Sequence, residues 1–547
     1  MSDAAARPQA PPAAPEAGAM PAAPDASHAS PSGGGISRRA MATNIASNWA
    51  WSLLVILSGF LLPRMIDDHL GRHALGIWDL CWSLAVYVEL LSLGIVSAVG
   101  RYVAKLRTTG DWDGLNNVVN TSLAMLTASC AVAVALVVGV DWVYWLSPPA
   151  EREQVGTLGR WLSLLVVGAS ALQLPAGVYN GILTGWERFD LLNSLRITRD
   201  LLSITLMVAA LYMGFGLVAV GVIFFVLAAL LSAAKWWAAR RLFVQMRHAR
   251  RHVRPEIARD LLMFGGKSIL QEFARGGLLQ ASTLVISRVM GAEAVALFSR
   301  QRNLVIQAYR FTKQYSQVFV PRTATLQAQK DDDGLRRMFV QSTFGGFCIA
   351  LPLLLGLAIA GGDLVQLWMG PDYRAPALLA ALAIGQILPL GQLSTVSTLM
   401  GLGMHGRAAA VESMLTLCGI VLMIVWTGFL DGGMLSAAVT IGLCLSAGAG
   451  LIVPWLTCRV LKLPFGRYMR DSLLRPLLAV SPFVGALFAI QYFGPASGGL
   501  RLLLSAVVGT PVLVGTYFFT VLPMPIRAKL LRRLGISGAG DATGDAK

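Results

Sequence analysis

One pattern limits this chain before any motif does. From residue 42 onward, apolar stretches recur, each near the roughly 20 residues that a helix needs to cross a bilayer. Fourteen can be counted, at 43–63, 76–100, 117–140, 158–183, 191–212, 216–236, 261–287, 294–320, 338–360, 375–402, 408–429, 433–457, 473–493 and 500–522. Gly and Pro inside them, such as Pro175, Pro352 and Pro389, do not disqualify them, because neighbouring helices can satisfy the freed backbone groups. Charged residues make up 14% of the 547 and hydrophobic ones 55%, where a soluble protein carries about 25% charged. A water-soluble enzyme, a nucleic-acid-binding protein and a disulfide scaffold are excluded. The expected fold class is all-α, a polytopic membrane protein of about 14 transmembrane helices.

Residues 1–40 stand apart. Their Ala, Pro, Gly and Ser cannot bury enough surface to offset ordering, so a disordered tail is expected. The stretch has no apolar core of a signal peptide, so the first span is expected to be retained. Orientation follows from the cations, 45 Lys and Arg against 29 Asp and Glu. With a cytoplasmic N-terminus and one crossing per stretch, 32 of them fall in inside-facing segments and 6 in outside loops. That imbalance supports an even number of spans with both termini inside. The inside-facing count includes segments 184–200 and 235–260.

The chain also repeats itself. Leu70–Leu80 (LGRHALGIWDL) and Met290–Arg300 (MGAEAVALFSR) are offset by 220, as are Asp111–Leu115 (DWDGL) and Asp331–Leu335 (DDDGL). Arg101 and Arg322 are offset by 221, and Asp141–Leu146 and Asp363–Trp368 by 222. Segments 1–6 and 7–12 are thus expected to be two copies of a six-helix unit. Six is even, so the copies run parallel about an axis along the membrane normal. The resulting organisation is a tail (1–40), an N-half (41–236), a basic linker (237–260), a C-half (261–457), a helix pair (458–525) and a C-terminal tail (526–547).

Seven cations remain inside spans, six of them in segments 7 and 8. Arg300, Asn303, Gln307, Arg310, Gln314 and Gln317 follow a 3-4-3-4-3 spacing, one continuous polar stripe along a helix. Segment 8 also carries Arg302 and Lys313. Lys267, Gln271, Arg275 and Ser282 make a similar stripe on segment 7. Lipid cannot solvate such faces, so they should line a protein interior or a water-filled cavity. The competing reading is inter-helix pairing with Glu272, Glu293, Asp79 and Glu89. The cations outnumber the two carboxylates in these segments, Glu272 and Glu293. The surplus suits an anionic ligand, a phosphate above all, since the Arg fork donates two parallel hydrogen bonds. Asp79, Glu89 and Glu272 are candidates for an ion or proton site or for pairing, and for Asp79 and Glu89 pairing is favoured. The polar residues of segment 1 (Asn44, Ser47, Asn48, Trp51, Ser52), segment 4 (Gln173, Asn180, Thr184) and segment 10 (Gln386, Gln392, Ser394, Thr395, Thr398) fit helix–helix bonding at least as well as ligand contact.

Other motifs carry little. Gly265–Ser268 ends like a P-loop, but Leu261 stands where its first Gly belongs. His69/His73 and His248/His252 lack further metal ligands, so no metal and no cofactor is expected. The six Cys (81, 130, 348, 418, 444 and 458) are scattered and read as small apolar residues rather than disulfides. The basic 235–260 stretch fits a topology signal and anionic-lipid contact, not nucleic acid.

The fourteen spans, the two parallel halves with an extra pair, and the Leu70–Leu80 turn together resemble the multidrug/oligosaccharidyl-lipid/polysaccharide (MOP) exporter superfamily. The likeness covers about residues 42–525, and the Wzx-type polysaccharide-biosynthesis flippases are the branch most similar. The resemblance implies an inner-membrane protein whose two lobes form a V around a central cavity. It implies alternating access that carries an undecaprenyl-pyrophosphate-linked oligosaccharide to the periplasmic leaflet, with membrane lipid and other polysaccharide assembly proteins as partners. Cationic cavity residues belong to that branch, and Arg300, Arg310, Lys267 and Arg275 are the positions that fit. Lipid II flippases of the superfamily carry Arg in the first two helices, whereas segment 1 here has none before Arg64. A cation-coupled drug antiporter is the alternative, against which stand the cationic stripe and the lack of Asp or Glu in segment 1. An enzyme would need a sizeable outside loop with catalytic pairing, and 141–157 offers none.

Overall fold

The computed structural model describes residues 38–522, 524, 527 and 528, apart from 93, 147 and 148. Within its helices the side chains of 38–50, 52, 53, 97, 140–146, 149–155, 264, 267–269, 271, 275 and 405 are outside the description. Most of the expected tail, 1–37, and the stretch 529–547 also lie outside the described residues.

The N-half comprises α1 (Arg38–Leu90), α2 (Ile95–Thr109), α3 (Trp112–Leu146), α4 (Pro149–Gly185), α5 (Phe189–Tyr212) and α6 (Leu217–Leu242). The C-half comprises α7 (Pro255–Met290), α8 (Ala292–Gln317), α9 (Phe319–Ala328), α10 (Asp332–Met369), α11 (Pro376–Gly385), α12 (Ile387–Gly391), α13 (Leu393–Gly401), α14 (His405–Met423), α15 (Gly433–Leu445) and α16 (Val453–Val460). Then come α17 (Phe465–Met469), α18 (Arg475–Phe493) and α19 (Gly498–Thr520). No strand occurs among the described residues. Each of the fourteen apolar stretches is helical over most of its length. The second is the end of α1 plus α2, the eighth α8 plus α9, and the tenth the three pieces α11–α13. By length and composition, eight helices among the described residues can cross a membrane. α5, α7 and α8 are as long, at 24, 36 and 26 residues, but more polar.

The repeat is visible in the turns. α1 breaks at Gly71 (φ 82°, ψ 169°), and Gly291 between α7 and α8 adopts nearly the same conformation (φ 84°, ψ 179°). That region is open to glycine almost alone, so both copies need Gly at the turn from their first helix to their second. At the opposite end, Asp111 Oδ1 accepts from Gly114 N at 2.8 Å and Asp331 Oδ1 from Gly334 N at 2.7 Å. Each aspartate thereby caps the third helix of its half. The residues before them, Gly110 and Lys330, share positive φ (71° and 55°). Gly71 and Gly291 mark one end of the bundle, Gly110 and Lys330 the other.

Small residues let the helices of each half touch. Gly177, Gly181 and Gly185 recur every fourth residue on α4, and α2 lies so close that a Cβ at Gly181 would come within 2.5 Å of Val99 Cγ1. In the C-half, a Cβ on Gly385 would lie 2.5 Å from Gly442 Cα. The halves meet along a seam of α1 and α2 against α7 and α8, and α18 and α19 pack on α10.

The linker between the halves is held in place. Asn116 Nδ2 donates to Gln245 O (3.1 Å) and its Oδ1 accepts from Arg247 N (2.8 Å). Asn120 repeats the pattern with Arg247 O (2.7 Å) and Ala249 N (3.1 Å). Thr121 Oγ1 accepts from Arg254 N at 3.0 Å, and His252 Nδ1 meets Asn117 Oδ1 at 2.8 Å. The first turns of α3 thus serve the linker as a ladder would serve a strand.

Candidate functional site

Between segments 2, 4 and 7 lies a cavity of about 410 Å³. Glu89 and Glu272 face it, with the polar side chains of Tyr87, Ser170, Gln173, Asn180 and Gln280. Asn180 Oδ1 and Gln280 Oε1 are buried acceptors without a hydrogen-bond partner. Gln173 is fixed from behind: its Nε2 donates to Ala228 O (2.9 Å) and its Oε1 accepts from Lys235 Nζ (3.1 Å).

Toward the Gly71 end the seam is shut. Tyr87 Oη donates across it to Gly277 O at 2.8 Å. Nearer the end, Arg300 Nη2 reaches both oxygens of Asp79 at 2.5 Å, and Arg300 is fully buried (0% exposed) with its guanidinium 5.8 Å from the Trp368 ring centre. The approach is close because Gly76 faces the backbone of Ala292, where a Cβ would lie 1.8 Å from the carbonyl oxygen. At the end itself Tyr373 Oη donates to Asp67 Oδ1 (2.5 Å), Trp368 Nε1 to Phe60 O (2.7 Å), and Arg72 lies 3.5 Å from Asp372 and 4.6 Å from the Tyr373 ring centre. Each of these contacts joins the N-half to the C-half.

The α8 stripe therefore changes character along its length. Arg300 is sealed, Asn303 and Gln307 are half-buried, and Arg310 and Gln314 are exposed. Gln307 faces α1, with Gly59 beside it. Arg302, off the stripe, donates to Leu279 O (2.7 Å) and Thr283 Oγ1 (2.5 Å) of α7, which ties the two polar helices together. The structure brings Asp79 to Arg300, and Glu89 to Glu272. It does not bring Arg300, Asn303, Gln307, Arg310 or Gln314 into the lining of the Glu89 cavity. Lys267 and Arg275 lie on α7, and their side chains are outside the described residues.

One count needs correcting. Arg196, Arg199 and Lys235 were placed with inside-facing segments, yet they sit inside helices of the N-half. Arg199 Nη1 donates to Asp200 Oδ1 (2.7 Å), and Trp51 Nε1 to Asp200 Oδ2 (3.0 Å). Arg196 lies 5.4 Å from the Trp51 ring centre, and Lys235 is 4% exposed. Their closeness to the ends of segments 5 and 6 made them look like topology residues. The signal that could have found them is the spacing of Arg196, Arg199, Asp200 and Ser203, a polar stripe at helical intervals.

Comparison with known proteins agrees with this architecture. The family model described as "Polysaccharide biosynthesis protein" matches residues 115–377. A Shigella flexneri protein named "Putative O-antigen transporter" is 21% identical over 393 residues, covering 68% of this chain and 88% of that one. Among solved structures, lipid II flippase MurJ in an inward closed conformation superposes with a TM-score of 0.64 at 12% identity, over 89% of this chain and 100% of its own. An inward-facing multidrug resistance MATE family transporter of the MOP superfamily gives a TM-score of 0.62 at 16% identity, over 74% and 94%. The fold is that of MOP-superfamily transporters, and the chain is a multi-pass membrane protein.

Proposed function

Starting from that shared fold, we propose that this chain is an inner-membrane flippase for an undecaprenyl-pyrophosphate-linked oligosaccharide, a precursor of O-antigen, capsule or exopolysaccharide. The observation that carries the reading is the partition of the seam. Carboxylates, amides and orphaned acceptors line the cavity, and cations on α8 are open toward the Gly110 end. Hydroxyl-rich sugar can donate to Asn180 Oδ1, Gln280 Oε1, Glu89 and Glu272, since each buried acceptor left unmet costs about 1–3 kcal/mol. Arg310 has no carboxylate partner among the described residues and is open on the stripe. With Lys267, Arg275, Asn303, Gln307 and Gln314 it holds the pyrophosphate, while the lipid tail stays in the bilayer. No covalent step is required.

With the basic loops at the Gly110 end taken as cytoplasmic, the Asp79–Arg300 pair closes the periplasmic end. Alternating access then requires this pair to part, which uncovers Arg300 to the same pyrophosphate as the load crosses. Arg300→Ala and Arg310→Ala should each abolish surface-glycan export in a strain lacking the chromosomal copy, while the protein still inserts. Full complementation by both variants overturns the reading.

A second reading has one observation in its favour. Glu89 and Glu272 share the cavity, as a cation-coupled multidrug antiporter would need. In that case Glu89→Gln and Glu272→Gln abolish drug efflux and Arg310→Ala does not.

A further inference from the structure

The N-half holds a second excess of positive charge that the flippase reading leaves unused. Arg196 and Arg199 project from α5 and Lys235 from α6, within electrostatic reach of one another and of Asp200. Asp200 is the one carboxylate in this cluster among the described residues, and both its oxygens are taken, by Arg199 and by Trp51. Lys235 Nζ donates to the neutral amide of Gln173, Arg199 Nε is buried without a partner, and Arg196 rests against the Trp51 ring. Lys235 is thus removed from water with no anion in contact, which is costly, while Arg196 and Arg199 are half-buried and share one carboxylate. Snorkelling does not account for them, because Lys235 is 4% exposed and points toward Gln173, deeper in the bundle.

Depth says what could complete the set. Arg196 is seven residues from the start of α5 and Lys235 seven from the end of α6. At 1.5 Å per residue both lie about 10 Å below the Gly110 end, near the level of lipid head groups. Beyond them α5 presents the exposed apolar side chains of Leu201, Leu202 and Leu206, a surface suited to acyl chains.

We propose that Arg196, Arg199 and Lys235, with Trp51 as a wall, form an anion site in the N-half that takes a phosphate group. The group belongs either to an anionic lipid or to a free phosphate compound. The site is separate from the α8 stripe and does not rest on the flippase reading.

The test is the thermal unfolding of the full chain in detergent, titrated with phosphatidylglycerol, inorganic pyrophosphate or, as a control, phosphatidylcholine. Phosphatidylglycerol, pyrophosphate or both should raise the midpoint; the first alone identifies a lipid, the second alone a free phosphate. Arg196→Gln and Lys235→Met should each weaken the response by about tenfold or more, given the strength of charge-assisted hydrogen bonds. Lys235→Arg should retain it. Without anion, Lys235→Met should be as stable as the parent or more so, since a charge without an anion has gone. Arg310→Ala should lose glycan export and keep the anion response, which separates failure of this site from failure of the flippase reading. No response to either anion, or an unchanged response in Arg196→Gln and Lys235→Met, overturns the proposal.

Discussion

The two halves share their turns and differ in what they bury. One buried cluster of the C-half, with α17 against it, is neutral. Tyr468 Oη lies 3.0 Å from Gln392 Oε1 and 3.1 Å from Thr343 Oγ1, Thr343 Oγ1 is 3.1 Å from Ser394 Oγ, and Gln392 Nε2 donates to Gly450 O at 2.5 Å. Neutral donors and acceptors there bond one another across helices and hold them together. The N-half buries Lys235 and half-buries Arg196, Arg199 and Asp200, more charged donors than their own carboxylate can satisfy. The seam lies between these cases: Arg300 is paired with the carboxylate of Asp79, and Arg302 beside it bonds neutral oxygens of Leu279 and Thr283. A neutral bonded cluster fixes a fold, whereas a surplus of one charge implies something that comes and goes.

The largest expected effect is at the seam. Asp79→Ala leaves Arg300 fully buried without its anion, and breaking such a pair costs about 3–5 kcal/mol. Denaturant unfolding in detergent should show a loss of that order. The double variant Asp79→Leu/Arg300→Met should recover most of it, because an apolar pair needs no partner. If Asp79→Ala alone proves nearly neutral, Arg300 has another anion or reaches water, and the contrast between matched and unmatched interiors weakens. The neutral network should give less. Tyr468→Phe removes one hydroxyl, leaves Gln392 Oε1 without its donor, and should cost about 1–2 kcal/mol without changing transport. A loss as large as at Asp79 would show that neutral and charged interiors hold the fold equally.

Much of this was legible in the chain. The spans were, because crossing hydrocarbon forces long apolar runs whatever their packing. The duplication was, because the Gly71/Gly291 and Asp111/Asp331 turns need particular residues at fixed places. The α8 stripe was, because 3-4 spacing fixes a helix face. Spacing cannot say which part of a face is sealed. Arg300 and Arg310 stand ten residues apart on one helix, and what separates them is the closure of α1 over one end. Nor does any local pattern place Glu89 beside Glu272 or Gln173 before Lys235, since these meetings depend on how α1, α4, α6 and α7 pack. The linker ladder was hidden for a different reason: Asn116, Asn120 and Thr121 are neutral residues near a helix start, and the linker backbone they hold lies about 130 residues away in sequence.

That ladder gives the smallest effect and tests the contrast on the N-half's own surface. Between Arg247 and Ala249, whose backbones Asn116 and Asn120 hold, stands His248. Partial burial, and after it the Arg240 charge, keep the His248 imidazole below its ordinary value of 6.5. The folded protein therefore binds that proton less readily than the unfolded chain does. Stability is fully present above pH 6.5 and is lost as pH falls from there through the lower folded value. His248 is exposed, so the loss should be slight and local, felt in the linker rather than in the bundle. Amide hydrogen exchange at Arg247 and Ala249 should quicken as pH is lowered through this window, once corrected for the intrinsic pH dependence of exchange. His248→Gln should remove the change, whereas the amides within α4 should show none in either protein. If the linker amides respond alike with and without His248, the ladder yields to acid by some other route. Its neutral contacts would then not be the pH-indifferent element that the comparison with the charged interior requires.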